Sequence, residues 1–248
     1  TAGTVEKFAE LMNARAQELG CTNTHFVNPN GLDADDHYSS ARDLALIMAE
    51  AMNSKVFKQI VSTKTFTAEG RTFSNHNKLL WSYEGMVGGK TGYTKSAGRT
   101  LVTCAQRNGM TVICVTLNDG DDWNDHINLL DSAFNNWELK TICVAGEVIG
   151  DVPVISGVEK SVGISTLETK KVLLEKGSSI TIDLQVPEFV YAEVNEGDFA
   201  GKLLAYVNDS EIYTTQIVFS DSVSKNFSER LSMWERLKKS IVGTSALE

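Results

Sequence analysis

Apolar residues recur at helical intervals from the start of the chain. Val5, Phe8, Leu11, Met12 and Leu19 predict a helix, and Gly20 stands where a helix is commonly closed. Cys21 to Tyr38 breaks the period with Asn, Asp, Pro and Gly, and predicts a long ordered loop of the kind that often carries function. Ser40, three residues before Asp43, resembles a helix cap, and Leu44, Ile47, Met48, Ala51 and Met52 continue as a helix. The β-branched stretch from Phe57 to Thr72 predicts strand or mixed structure. Asn75 to Lys78 is polar and precedes Leu79-Leu80-Trp81, and Ser96-Ala97-Gly98 predicts a turn. Arg99 to Gln106 and Met110 to Thr116 read as strands joined at Asn108-Gly109, a type I′ hairpin signal. Trp123, Ile127, Leu130, Phe134 and Trp137 then form an amphipathic stripe whose tryptophans belong to a core.

The pattern changes near Lys140. Beyond it Ile180, Ile182, Leu184 and Val186 alternate with polar residues, and two apolar runs flank Asn208 to Glu211 as a second hairpin. No helical period appears before Phe219, so the segment reads as a small all-β domain. Phe227, Leu231, Trp234, Leu237 and Ile241 restore a helical stripe, with Arg230, Arg236, Lys238 and Lys239 beside Glu229 and Glu235. Such a helix suits a membrane surface or a dock on the β domain. The expected domains are 1–139, 140–222 and a tail helix over 223–246.

Composition narrows the classes. The chain has 248 residues, 42% hydrophobic and 22% charged, with a formal net charge of −9. That balance argues against a nucleic-acid partner, which calls for a basic face. No apolar run is long enough to span a bilayer. Cys21, Cys104, Cys114 and Cys143 form no CxxC pair and have no histidine cluster, which speaks against zinc. Cys104 and Cys114 flank the Asn108-Gly109 turn and could face each other, although buried free thiols are the favoured reading.

The chemistry concentrates in Gly88-Gly89-Lys90-Thr91-Gly92-Tyr93-Thr94. On a strand edge, Lys90, Thr91 and Gly92 offer an ammonium, a hydroxyl and bare backbone. These groups suit a peptide with a free carboxylate. Alone the tripeptide is a moderate signal, since a Gly-rich turn with an exposed lysine looks the same.

Its surroundings sharpen it. Thr24-His25-Phe26-Val27-Asn28-Pro29-Asn30-Gly31-Leu32, then His37-Tyr38-Ser39-Ser40-Ala41-Arg42-Asp43, closely resembles the D-alanyl-D-alanine carboxypeptidases, the low-molecular-mass penicillin-binding proteins of serine type. Gly89 to Thr94 followed by Ala97-Gly98 looks like their third motif, and the resemblance runs from about Thr1 to about Val242. It implies part of a transpeptidase/β-lactamase-like α/β (α+β) domain with an antiparallel sheet, then a small all-β domain and an amphipathic helix. The family's other motifs, Ser-x-x-Lys and Ser-x-Asn, precede the helix with which this chain opens, so the resemblance implies a chain separated from its nucleophile and inactive by itself. Ser222-Val223-Ser224-Lys225 and Ser224-Lys225-Asn226 match those patterns but overlap and follow Lys-Thr-Gly, and are read as chance.

The resemblance implies acyl transfer through a serine ester, without cofactor or metal. Lys90 would face the substrate's terminal carboxylate and hold its neighbours in reactive protonation states. Thr91, with Thr94 in the same wall, would bind substrate, Gly92 would let its backbone approach, and the Tyr93 N–H would supply half of an oxyanion hole. The substrate would add to the strand edge as a further strand. His76 is a candidate for the cleft, against a solvated or structural role. His25, His37 and His126 have no carboxylate at a defensible spacing. The implied partners are peptidoglycan stem peptides ending in D-Ala-D-Ala, β-lactam inhibitors, and a membrane surface met through Phe227 to Ile241, at the outer face of the cytoplasmic membrane. A non-catalytic cell-wall or protein-binding module is the alternative. A β-lactamase is a third reading, against which the extra β domain and tail argue.

Overall fold

The computed structural model describes residues 2–226. The expected helix from Phe227 to Ile241 lies outside them. The chain divides into two units, Thr1–Leu139 and a second beginning at Lys140.

The first unit opens with α1 (Val5–Glu18), capped by Thr4, whose hydroxyl accepts from the Lys7 N–H at 3.2 Å. Gly20 follows the helix at φ +77°, the left-handed conformation that glycine adopts without a steric penalty. The buried positions of α1 are Ala9 and Ala16, while Val5 and Leu11 remain exposed. Ser40 caps α2 (Ala41–Ala51) by accepting from the Asp43 N–H at 3.2 Å.

The structure corrects the mixed reading of Phe57 to Thr72. Residues up to Ser62 form α3 (Lys55–Ser62), because Ser54 accepts from the Phe57 N–H and Phe57 and Val61 share the inward face four residues apart. The rest is a hairpin, β1 (Thr65–Ala68) with β2 (Arg71–Ser74), which pairs Phe66 with Phe73. One short turn, α4 (Leu79–Ser82), precedes the central sheet.

That sheet is antiparallel in the order β3 (Met86–Thr94), β4 (Gly98–Arg107), β5 (Met110–Leu117). Asn108 and Gly109 both take positive φ, 51° and 79°, as a type I′ turn demands. Each face of the sheet carries its own core. Leu101, Ala105 and Cys114 pack with Leu79 and with Leu130 and Phe134 of α5 (Asp122–Asn136). Val102 and Cys104 pack on the other side with Met48, Met52 and Val61. The expected stripe on α5 runs one residue too far: Trp137 is extended and opens the next strand.

Alternation along the sheet also decides the cysteines. Cys104 pairs with Ile113 and Cys114 with Thr103, so the two thiols enter opposite cores and do not meet. All four cysteines are free and buried. Burial pushes the Cys104 and Cys114 thiols up to about 11.

The second unit is all β among its described residues. Its strands are β6 (Trp137–Cys143), β7 (Val148–Ile155), β8 (Ser161–Thr166), β9 (Lys170–Glu175), β10 (Thr181–Gln185), β11 (Val190–Tyr191), β12 (Phe199–Val207) and β13 (Ser210–Phe219). Six of them form one sheet in the order β10-β12-β13-β8-β7-β11, and β6 pairs with β9. Val152, Ile164, Leu203, Ala205 and Ile217 are its buried centre. Asn208 and Asp209, at φ 49° and 61°, make a tighter turn than the four-residue loop expected. The Ser222 to Lys225 match serves this unit: Val223 exchanges backbone hydrogen bonds with Val194, and the Ser222 hydroxyl accepts from the Glu196 N–H at 2.9 Å.

His126 on α5 is fully buried between two hydroxyls, Thr103 at 2.7 Å from Nδ1 and Thr116 at 3.2 Å from Nε2. Burial pushes it down to about 4, against the opposing charges of Asp122 and Asp119. The folded state therefore binds this proton less readily than the unfolded chain. Its contribution is complete above the ordinary value of 6.5 and is lost as pH falls toward 4. Denaturant unfolding between pH 7 and 4 should register a loss on the order of 3 kcal/mol from this group. His126→Gln should flatten that slope; an unchanged slope would contradict the assignment.

Candidate active site

β3 is an edge strand, paired with β4 on one side only. It is held from behind by two close approaches. A Cβ at Gly88 would lie 2.4 Å from Cγ2 of Val61 on α3. One at Gly89 would lie 2.6 Å from the Val102 carbonyl oxygen and 2.8 Å from Nδ2 of Asn77. Only glycine lets α3 and the 75–78 segment come this near. Asn77 is fully buried, and its Oδ1 accepts from the Leu79 N–H at 3.1 Å. Asn75 ties the same segment down through donations to the Thr63 and Val61 carbonyls at 3.0 and 3.4 Å.

Past the glycines the strand reaches solvent. Lys90, Gly92 and Tyr93 are exposed, and Thr91 and Thr94 are half-buried. At Gly92 the nearest atom to a built Cβ is 3.7 Å away, so this glycine faces open space. Lys90, Thr91, Gly92 and Tyr93 line one shallow depression of about 300 Å³ together with His76. The opposite wall is Arg99 and Thr100 of β4 with Asp122 and Trp123 from the start of α5.

The wall is built on a charge pair. The Arg99 guanidinium donates to both carboxylate oxygens of Asp122, at 3.1 Å from Nε and more closely from Nη2. Asp122 is buried, and this two-pronged contact compensates the burial of its charge. Trp123 takes cations on its ring, with Arg99 at 5.8 Å and Lys78 at 5.9 Å from the centroid. Lys90 Nζ donates to the Thr91 carbonyl oxygen.

Thr94 ends the wall and fastens it to the long loop. Its hydroxyl donates to Asp33 at 2.8 Å and accepts from the Ala97 N–H at 2.9 Å. The loop is itself anchored on Asp43, which is fully buried. Asp43 accepts from the Asn23 N–H at 2.7 Å and the Thr24 hydroxyl at 2.8 Å. Burial opposes its charge, but these donors, with Ser40 and Arg42, outweigh it and hold the carboxyl below its usual range. His25 and His37 bond backbone within the loop, to the Asp36 carbonyl and the Val27 N–H, which is a structural role.

The structure thus gathers Lys90, Thr91, Gly92, Tyr93 and His76 at one depression and sets Thr94 at its end. Sequence reasoning passed over Arg99, Thr100, Asp122, Trp123 and Asp33. The first four lie on elements it placed for their packing, and Asp33 lies in the loop whose length it noted.

Residues 1–121 match the family described as D-alanyl-D-alanine carboxypeptidase, and residues 137–225 match the penicillin-binding protein 5 C-terminal domain. The chain belongs to the D-alanyl-D-alanine carboxypeptidase family. D-alanyl-D-alanine carboxypeptidase DacC of Escherichia coli is 34% identical over 245 residues, covering 83% of this chain and 61% of that protein. The Bacillus subtilis carboxypeptidase DacF is 27% identical over 235 residues, covering 90% and 60%. Penicillin binding protein 5 from Haemophilus influenzae superposes with a TM-score of 0.63 at 29% identity, covering 90% of this chain and 68% of that structure. The chain spans about three fifths of the length of the curated relatives it matches. The mixed α/β unit followed by an all-β domain is the fold these relatives share.

The glycines of this family member predict opposite outcomes. Gly89→Ala drives a methyl into backbone and should cost about 1–3 kcal/mol. Gly92→Ala meets open space and should leave stability within about 0.5 kcal/mol. Denaturant midpoints of the two variants check the contrast; equal losses would refute it.

Proposed function

We propose that this chain supplies the substrate-holding wall of a serine-type D-Ala-D-Ala carboxypeptidase that trims peptidoglycan stem peptides outside the cytoplasm. One observation carries the reading: in a member of this family, Lys90-Thr91-Gly92 lies on a free sheet edge beside an open depression.

Each group has a task in that chemistry. The stem peptide lies along the unpaired edge of β3. The Lys90 ammonium and the Thr91 hydroxyl take its terminal carboxylate, and Gly92 lets the backbone come close. Thr94, tied to Asp33, fixes the far end of the wall, and His76 borders the bound peptide. A serine oxygen from outside residues 1–248 attacks the penultimate carbonyl and yields its proton to a lysine amine. The Tyr93 N–H and the N–H of the nucleophile receive the charge on the oxygen. Terminal D-alanine departs with the returned proton, and water then hydrolyses the ester. A β-lactam takes the same place and stays as a stable ester.

Labelling by a fluorescent penicillin tests the reading. A protein carrying this chain behind a Ser-x-x-Lys and Ser-x-Asn segment should acylate, and residues 1–248 alone should not. Lys90→Ala should slow acylation about a hundredfold, the scale of losing one charge-stabilising donor. Absence of labelling in the folded longer protein would overturn the proposal. Retention on purified cell wall without acylation would favour the non-catalytic reading.

A further inference from the structure

The depression at Lys90 does not end at His76. His76 also lines a second hollow, of about 740 Å³, with Phe73, Asn75, Lys78 and Trp81. Phe73 and Asn75 in turn line a third, of about 520 Å³, with Ile60 and Phe66. Shared residues join the three into one groove within the first unit, leading from the Lys-Thr-Gly strand across the polar turn to the β1–β2 hairpin.

The far end of the groove departs from ordinary surface in two ways. Phe66, Phe73 and Trp81 are 62%, 57% and 49% exposed, although aromatic rings gain most from burial. The charge is also inverted. Between Ser54 and Ser82 five exposed cations, Lys55, Lys58, Lys64, Arg71 and Lys78, stand against one carboxylate, Glu69, in a chain of net charge −9. Exposed rings rimmed by cations, continuous with the candidate active site, describe a binding surface.

Resting on the function proposed above, we propose that this end of the groove is a saccharide subsite, taking the amino-sugar chain from which the stem peptide hangs. Phe73 and Trp81 offer flat faces to the apolar C–H face of a pyranose ring. Asn75 and Lys78 meet its hydroxyl, N-acyl and carboxylate oxygens. A peptide of three to five residues, extended at about 3.3 Å each, links the two ends at the scale of neighbouring hollows. Continuity favours this occupant: a molecule held by its carboxylate at Lys90 and running along the groove must bring its distal part to Phe73 and Trp81. The substrate is the one such molecule the reading supplies.

The test uses chain 1–248 and three soluble probes. These are a pentapeptide ending in D-Ala-D-Ala, the same peptide on a muramic acid–glucosamine disaccharide, and the disaccharide alone. Titration calorimetry should find the disaccharide-bearing peptide bound about five to ten times more tightly than the bare one. The indole N–H resonance of Trp81 should move with the saccharide probes and not with the bare peptide. Phe73→Ala, on the exposed hairpin, and Trp81→Ala should each erase the saccharide gain, and Trp81→Phe should keep most of it. Equal affinity of the two peptides, with Trp81 silent, would overturn the subsite while Lys90-dependent binding of both left the active-site reading standing. Loss of all peptide binding independent of Lys90 would strike that reading instead. A Trp81 shift produced equally by vesicles of anionic phospholipid, with no saccharide preference, would also overturn the subsite.

Discussion

The arrangement of this molecule depends on how closely packing can approach one strand from behind without covering it in front. β3 is pressed by Val61 and Asn77 at the two glycines where no side chain intervenes. Two residues later the same strand stands free at the sheet edge. A strand held only by its β4 ladder would be free to twist and slip, as edge strands do. Here the register of Lys90 and Thr91 is fixed by contacts to residues that never reach the ligand surface. The rigidity a preorganised carboxylate site requires therefore comes from Gly88 and Gly89, and the access it requires comes from Gly92. The same residue type serves two opposite needs within five positions.

A second constraint acts along the loop. Asp43 is a buried carboxylate satisfied by the Asn23 backbone and the Thr24 hydroxyl, so the chain must fold back across α2 before it reaches Asp33. Asp33 then holds Thr94. The block from Thr24 to Asp43 carries no group at the depression, yet it sets the end of the wall. That explains why its residues are so specific: they satisfy a buried charge, and a buried charge tolerates few substitutes.

Legibility in the sequence followed the range of the interaction. Asn108-Gly109 named its own turn, because positive φ at two successive positions is a local demand. The core face of α5 was legible from Leu130 and Phe134, while its end at Trp137 was not, since a helix and a following strand can share an apolar residue. The helix at Lys55 to Ser62 was hidden by β-branched residues whose preference yields to the Ser54 cap and the packing of Phe57 and Val61. In the site, Lys90, Thr91, Gly92 and His76 were readable as chemistry. Arg99 and Asp122 were not, because their pairing across twenty-three residues exists only once α5 docks on β4.

The distribution of charge extends this reasoning beyond the candidate site. An acidic protein lowers its own affinity for acidic ligands unless positive charge is gathered where they bind. This chain gathers it in one sequence-local stretch, from Lys55 to Lys78, on α3, the hairpin and the turn that leads to β3. Those elements also present the exposed aromatic rings. Local sequence is the only level at which composition can be biased without disturbing a core, and these residues lie outside the buried centres of the first unit. Stability leaves their identity largely open, so their shared character points to a demand made from outside the fold, and the groove that joins them to Lys90 gives that demand a direction.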